Sequence, residues 1–424
     1  MPAEKATKKS LSILMLSPTM FFADYGAHVR ILEEAVILQK LGHKVTILAY
    51  PNGRDIAGIK VRRCWGVPFN YRVIVGSSRH KIYLDVMLAM KSLRHVIRYK
   101  PDIIHAHLHE GALIGWVLSK LTGAPLVFDF QGSLTAEMID HNFLRSEGLP
   151  YRFVYWLENR INQAADVILT SSTHAATLLI EKFKLSPKKI DPTPDCVNLD
   201  TFNQDNFSDA EKAGLKKQLG IPAEKKLIVY LGLLAPWQGV DLLLETLQLL
   251  KETRQDYHLL LMGFPAVAHY QAEAKRLGVD DLITFTNKIP YEDAPRYLAL
   301  GDIATAPKIS ATEGSGKILN YMALGLPTVS FSLPVSREFL GDGGIYASEI
   351  NTTALATALN RALDLSETER DQLGRYLQER AATHFAWHRA GQQIEAVYQA
   401  LLVGDPLPVS EVRPAPSQSL SENF

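Results

Sequence analysis

Short apolar runs alternate with longer amphipathic segments along nearly the whole chain, and this alternation is what most narrows the fold. Runs of four to eight apolar residues separated by helix-length segments are the pattern of a parallel sheet wrapped by helices. In the first half the runs are Leu11–Leu16, Lys44–Ala49, Asp102–Ala106, Pro125–Phe130 and Asp166–Ser171. Helical spacing at roughly 27–41, 79–99, 110–122, 152–164 and 173–184 separates them. Gly42 stands where a helix C-cap is needed before the β-branched run Lys44–Ala49.

The rhythm restarts after residue 205. Leu227–Gly232, His258–Met262, Leu282–Phe285, Ile303–Ala306 and Thr328–Phe331 read as strands. Val240–Glu252, with apolar residues at 240, 243, 244, 247 and 250, reads as a helix, as do roughly 267–277, 291–299 and 315–324. The pattern predicts an α/β protein of two doubly wound, Rossmann-like domains facing one another across a cleft, with ligands beyond the carboxyl ends of the strands. Residues 1–200 form the first domain and 201–385 the second. Residues 350–402 read as helices, the last of which, 386–402, crosses back to the first domain. Residues 403–424, with four prolines and no periodicity, read as a disordered tail.

Composition removes several classes. Two cysteines, Cys64 and Cys196, are too few for a disulfide framework or a multi-cysteine metal site. Leu11–Leu16 reads as a first strand rather than a signal peptide. No stretch approaches the ~18 uninterrupted apolar residues of a spanning helix, so the expected location is cytoplasmic. The formal charge is zero, which argues against a nucleic-acid partner. That zero conceals a split, because residues 1–200 carry 25 Lys/Arg against 18 Asp/Glu and residues 201–424 carry 20 against 27.

Chemistry concentrates in Ala306–Val329. A strand ends at Ala306, a loop carries Lys308, and Glu313-Gly314-Ser315-Gly316 leads into a helix, with Lys317 after the glycines. Backbone N–H groups at a helix start, approached closely through glycines, make an anion site, and two lysines strengthen it for phosphate. Glu313 would be repulsive there unless it faced sugar hydroxyls, so phosphate joined to sugar is the ligand the pattern suggests. The plain alternative is a helix with a flexible glycine start and an ordinary first-turn acid.

This stretch, from Glu313-Gly-Ser-Gly to Asn320-Tyr-Met-Ala-Leu-Gly-Leu-Pro-Thr-Val329, resembles the donor-site signature of the retaining GT-B glycosyltransferases of family 4. Tyr230–Glu245 resembles that family's first donor-domain strand, loop and helix, and Asp195–Phe202 its interdomain connection. Asp102–His107 and Ala165–Ser172 are similar to acceptor-domain landmarks. The likeness runs through roughly residues 10 to 400 in consistent order. It implies a metal-independent hexosyltransferase acting in polysaccharide or glycolipid biosynthesis. The donor would be a nucleotide-diphosphate sugar, and the acceptor a glycan, a lipid-linked group or a small molecule.

The resemblance also assigns residues. Glu313 would orient the donor sugar, while Lys308, Lys317 and the amides of Gly314–Gly316 stabilise the leaving diphosphate, one of whose oxygens accepts the acceptor's proton. His107 would face the anomeric centre. Gly26, Gly232, Gln238, Gly263, Ile289 and Asn320 complete the donor set, with base contacts at Gly263 and Ile289 made largely through backbone. His109, Gln131 and Gly132 would lie towards the acceptor. Two departures stand out. The family usually has two Glu separated by seven residues, whereas Glu313 and Asn320 have six between them. The Arg and Lys expected after the first donor-domain strand are replaced by Leu233 and Gln238, which puts the load on Lys308 and Lys317. No cofactor is expected, and no His/Asp/Glu set has metal-ligand spacing in the sequence.

Other readings stay open beside these. Gly26 fits a tight strand-to-helix turn, and His105, His107 and His109, which share one face by period two, fit a packed structural set. Segment 72–100 has seven basic residues and one acid, with apolar residues at helical spacing. It is either a solvated basic helix or a peripheral contact with anionic membrane at the inner face. For the whole chain, a nucleotide-sugar epimerase of the same fold and a non-catalytic glycan-binding or scaffold relative are the alternatives.

Overall fold

The computed structural model describes residues 9–66, 81–140, 143–310 and 314–408. The chain divides into two compact units, one of Met1–Ala23, Arg30–Thr193 and Ala390–Phe424, the other of Asp24–Val29 and Pro194–Arg389. The second-to-first return therefore lies within the last helix, Trp387–Val403. The expected tail lies, beyond Pro408, outside the described residues, as do residues 72–80 of the basic segment.

The first unit is built on seven strands: β1 (Ser12–Ser17), β2 (Lys44–Ala49), β3 (Val61–Arg63), β4 (Ile103–His107), β5 (Leu126–Phe130), β6 (Val167–Thr170) and β7 (Ile190–Pro192). All pair in parallel in the order β3-β2-β1-β4-β5-β6-β7. Leu16 is in register with Leu48 on one side and Ala106 on the other. The winding direction thus reverses between β1 and β4, the place where sheets of this kind bind ligands. Every residue of β4 and of β5 is buried. A parallel sheet covered by helices on both faces requires such continuous apolar runs.

The second unit repeats the plan with β8 (Lys226–Leu233), β9 (Tyr257–Phe264), β10 (Ile283–Asn287), β11 (Ile303–Ala306), β12 (Thr328–Phe331) and β13 (Gly344–Ala347). Their parallel order, β10-β9-β8-β11-β12-β13, reverses between β8 and β11. One core of this unit includes Leu227, Val229, Leu260, Ile318, Leu319 and Phe339, and a second includes Ile228, Leu243, Leu247, Leu259 and Val329. The residues of β8 and β9 alternate between the two cores. Both units are Rossmann-like, as the sequence rhythm implies.

The expected strands all form, within one or two residues of their predicted ends. Gly42 takes φ +93 after the helix Gly26–Lys40, in the capping position foreseen for it. Strands β3, β7 and β13 were not anticipated, because three or four residues at or near a sheet edge carry no measurable period. The helix Asp209–Gln218 has no buried residue and hence no apolar stripe. It is marked instead by a capping box, Ser208 with Glu211.

Candidate functional site

In the second unit Gly232, Gln238 and Lys317, three of the residues expected at the donor site, meet where the winding reverses. Strand β8 ends in Gly232 and Leu233, and the loop after it makes a single 3-10 turn, Pro236–Gln238, before the helix Val240–Lys251. Strand β11 ends in Ala306, and after its loop Gly316 opens the helix Gly316–Ala323. The two loops are stitched together, since the N–H groups of Ile309 and Ser310 donate to the Trp237 carbonyl at 3.1 and 3.3 Å. The glycines permit the closeness. A Cβ on Gly239, which sits at φ +74, would stand 1.8 Å from the Pro307 carbonyl oxygen, and one on Gly263 would stand 2.1 Å from that of Gly232.

Lys317 links the two loops chemically. Its Nζ donates to Gln238 Oε1 at 2.8 Å and to the Tyr230 hydroxyl at 3.3 Å, and lies 4.4 Å from the centre of the Tyr230 ring. A Cβ on Gly232 would stand 2.5 Å from that same Nζ. Burial, with Tyr321 and Tyr270 nearby, holds the Tyr230 hydroxyl well above its ordinary pKa. It stays neutral, so this contact adds no negative charge beside the ammonium. Lys308 is buried and donates to the Gly314 carbonyl at 3.0 Å. Ser315 Oγ is buried with no hydrogen-bond partner among the described residues. The helix beginning at Gly316 contributes the positive end of its dipole to the same place. Asn320 is half-buried one turn further on.

Glu313, with Ala311 and Thr312, lies outside the described residues. Gly316 is not forced by space, the nearest atom to a Cβ there being Asp195 Oδ2 at 4.0 Å, and Gly26 has nothing within 4 Å. Ile289 is buried in the core of this unit. Its neighbours Lys288 and Tyr291 hold Asp24, two residues before Gly26: Lys288 Nζ pairs with the carboxylate at 2.8 Å and the Tyr291 N–H donates to it at 3.1 Å.

At the reversal in the first unit lies a buried charged network. Asp129, in β5, accepts from Arg30 Nε at 2.9 Å, from His107 Nδ1 at 3.0 Å and from Gln131 Nε2 at 2.7 Å. Arg30 also donates to the Thr193 carbonyl at 3.0 Å and pairs with Glu34 at 3.1 Å. Burial pushes the Asp129 carboxyl up, but Arg30 and His107 outweigh it and hold the group well below the carboxylate range. His105 stacks on His107 at 4.6 Å, and its Nδ1 meets the Tyr398 hydroxyl at 2.5 Å. Burial keeps His105 neutral. His107 is thus fully buried and anchored through Asp129, and Gln131 joins the same carboxylate. Gly132 lies beside it, half-buried after β5.

His109 leaves this set. The chain turns at Leu108, φ +59, into the helix Leu108–Thr122, so period two stops at His107. His109 instead lies 3.6 Å from Glu158 and packs edge-on against Phe128 and Phe130. Arg30, Glu34 and Asp129 were not singled out by sequence. The one available signal was a charged residue inside an otherwise apolar strand, Asp129 in Leu126–Phe130. Linear spacing also missed that the fold gathers Glu34, His105 and His107, whose potential ligand atoms lie within 4.8 Å of one another. Arg30 pairs with one oxygen of the Glu34 carboxylate at 3.1 Å, and His105 Nε2 lies 3.4 Å from the other.

Comparison with known proteins bears on the family and the fold. The family described as "Glycosyl transferases group 1" matches residues 211–380, and the "Glycosyl transferase 4-like domain" matches residues 25–196. D-inositol 3-phosphate glycosyltransferase of Corynebacterium glutamicum is 24% identical over 402 residues, 90% of this chain and 93% of the relative. Alpha-D-kanosaminyltransferase of Streptomyces kanamyceticus is 24% identical over 395 residues, 88% and 98% of the two chains. Among solved structures, sucrose-phosphate synthase from Thermosynechococcus elongatus superposes with a TM-score of 0.77 at 18% identity, covering 93% of this chain and 99% of that one. HepE of Anabaena, in complex with UDP and glucose, gives 0.73 at 18% identity, covering 91% and 98%.

Proposed function

Given that the chain belongs to the GT4-type glycosyltransferases of GT-B fold, we propose that it moves a hexose from a nucleotide-diphosphate sugar to its acceptor with retention of anomeric configuration and without a metal ion. Glycosyl transfer from a nucleotide-sugar donor is the activity of the family; the stereochemistry, the metal independence and the residue roles are the proposal.

The observation that carries it is the position of Lys317. The loop after β8 lacks a basic residue, having Leu233 and Gln238 where the family usually places Arg and Lys. The Lys317 ammonium reaches that loop from the helix opposite and is fixed there by Gln238 and Tyr230. Lys308, held through Gly314, stands at the same loop pair. Two ammonium groups, a helix start and the amides of Gly314–Gly316 supply preorganised positive potential for a departing diphosphate. When the bond from the anomeric carbon to the diphosphate oxygen breaks, the negative charge grows on that oxygen. A diphosphate oxygen takes the acceptor hydroxyl's proton while the hydroxyl oxygen bonds to the same face of the sugar. Glu313 orients the sugar through its hydroxyls, and Asn320 bonds the nucleotide ribose.

HepE, a neighbour in fold, is known with UDP and glucose, which supports a nucleotide-diphosphate hexose as donor. The D-inositol 3-phosphate relative supports a hydroxylated acceptor; lipid-linked and glycan acceptors belong to the same chemical class. The proposed location is cytoplasmic, with peripheral contact at the inner membrane face through residues 72–100.

The test supplies purified protein with a panel of nucleotide sugars and hydroxylated acceptors, in the presence of a chelator. Released nucleoside diphosphate is quantified and the product's anomeric configuration read by NMR. Retention with full activity in chelator is the expected result; an inverted product or loss of turnover on chelation would sink the proposal. Glu313→Ala should lower turnover about a hundredfold or more while the protein stays folded.

A further inference from the structure

Exposed apolar residues are ordinary when scattered, but here they are concentrated. Of the 21 exposed large hydrophobic residues among the described residues, 14 lie on three helices of the first unit, Lys81–Tyr99, Leu108–Thr122 and Leu149–Ala164. The middle helix packs against both of the others and against β4 and β5. The three are therefore neighbours on one face of one sheet.

Each turns a stripe outward at helical spacing. On the first helix the stripe is Ile82, Val86, Met90, Leu93 and Ile97, the last 70% exposed. At 1.5 Å per residue it runs for about 22 Å. On the second it is Leu113, Trp116, Val117 and Leu121; on the third, Leu149, Phe153 and Trp156. The inner faces of the first two helices carry the core residues Leu84, Leu88, Val96, Ile114 and Leu118, so the outward stripes are additional to what folding needs.

Charge on these helices is one-sided. Every exposed charged residue is basic: Arg94, Arg98, Lys120, Arg152 and Arg160. All three acids are turned in and occupied. Asp85 accepts from the Tyr50 hydroxyl at 2.5 Å, Glu110 pairs with Lys81 at 2.7 Å, and buried Glu158 accepts from the Thr135 N–H at 2.9 Å. Beside them, Lys91 and Arg94 lie over the exposed ring of Trp65 at 5.1 and 5.5 Å. An apolar plane edged by aromatic rings and long basic side chains matches a bilayer interface, where the apolar residues enter the acyl boundary and the cations stay with anionic headgroups.

We propose that this three-helix face docks the protein on an anionic lipid bilayer. The face includes the described helix Lys81–Tyr99 and extends to Trp116, Leu121, Phe153 and Trp156, and the proposal does not depend on the transferase chemistry. No helix among the described residues is long and apolar enough to cross a membrane, so the attachment is peripheral.

The test mixes the full chain with vesicles of phosphatidylcholine alone and of phosphatidylcholine with an equal share of phosphatidylglycerol, and measures the fraction that floats with lipid. Wild type should float with the anionic vesicles and lose most of that binding in high salt, which requires no variant. Arg94→Ala/Arg98→Ala should weaken partitioning by about fivefold per residue removed. Trp116→Glu/Trp156→Glu should abolish it, with circular dichroism confirming the fold. Three results would each overturn the proposal. One is failure of wild type to float with either vesicle. Another is equal binding to both vesicle types, insensitive to salt. The third is a wild-type dimer that Trp116→Glu converts to monomer, which would make the face a self-interface.

Discussion

Two carboxylates of the first unit, buried Asp129 and half-buried Asp85, show how position, and not residue type, sets behaviour. Asp129 is held far below the carboxylate range because Arg30 and His107 outweigh its burial. It therefore contributes stability above the pKa of an unfolded aspartate, and loses it only in strong acid. Asp85 behaves oppositely. Burial and the nearby charge of Glu110 push it up to about 7, beyond what the Tyr50 hydrogen bond and Lys81 restore. Between about pH 4 and pH 7 the unfolded chain has released this proton while the folded chain keeps it, so stability falls as pH rises. The slope has a ceiling of about 1.4 kcal/mol per pH unit. Asp85→Asn should flatten that part of the stability profile in urea unfolding followed across this range. Identical pH dependence in variant and wild type would contradict the assignment.

Among the elements, the pair of loops after β8 and β11 is the part most dependent on backbone geometry. Gly239 is at φ +74 with the Pro307 carbonyl where a side chain would stand, so Gly239→Ala must part the two loops. Strain at a positive φ costs on the order of 1–3 kcal/mol before the clash is counted. Thermal unfolding should show the loss, and donor affinity should fall with it because Gln238 moves away from Lys317. Retention of both stability and affinity would mean that the loops are not coupled. These elements also show what the sequence could disclose. Strand β8 and helix Val240–Lys251 were plain from apolar period, and the lysines from their place beside glycines. The Arg30–Asp129–His107 network was hidden because its members come from a helix and two strands, far apart along the chain. No spacing rule joins them. His109 was misplaced for a related reason: one left-handed residue, Leu108, ends the strand's alternation. The reach of Lys317 to Gln238, 79 residues away, was equally invisible, although both residues were flagged.

For the molecule as a whole, the neutral total resolves into two units with different tasks. The basic surplus of residues 1–200 includes a one-sided set of exposed cations beside the apolar stripes, where it serves a surface contact. Residues 201–424 carry an acidic surplus, yet the proposed donor site in that unit is built on Lys308, Lys317 and a helix start. Local arrangement overrides net charge, because a fixed ammonium a few ångströms away acts more strongly than screened charges beyond a Debye length of about 8 Å. Calorimetric titration of a panel of nucleoside diphosphates into wild type and Lys317→Met tests that claim most directly. The account predicts that wild type binds at least one of them and that the variant, still folded, binds it at least about thirtyfold more weakly. A wild type that binds none, or a folded variant that binds as tightly as wild type, would contradict it.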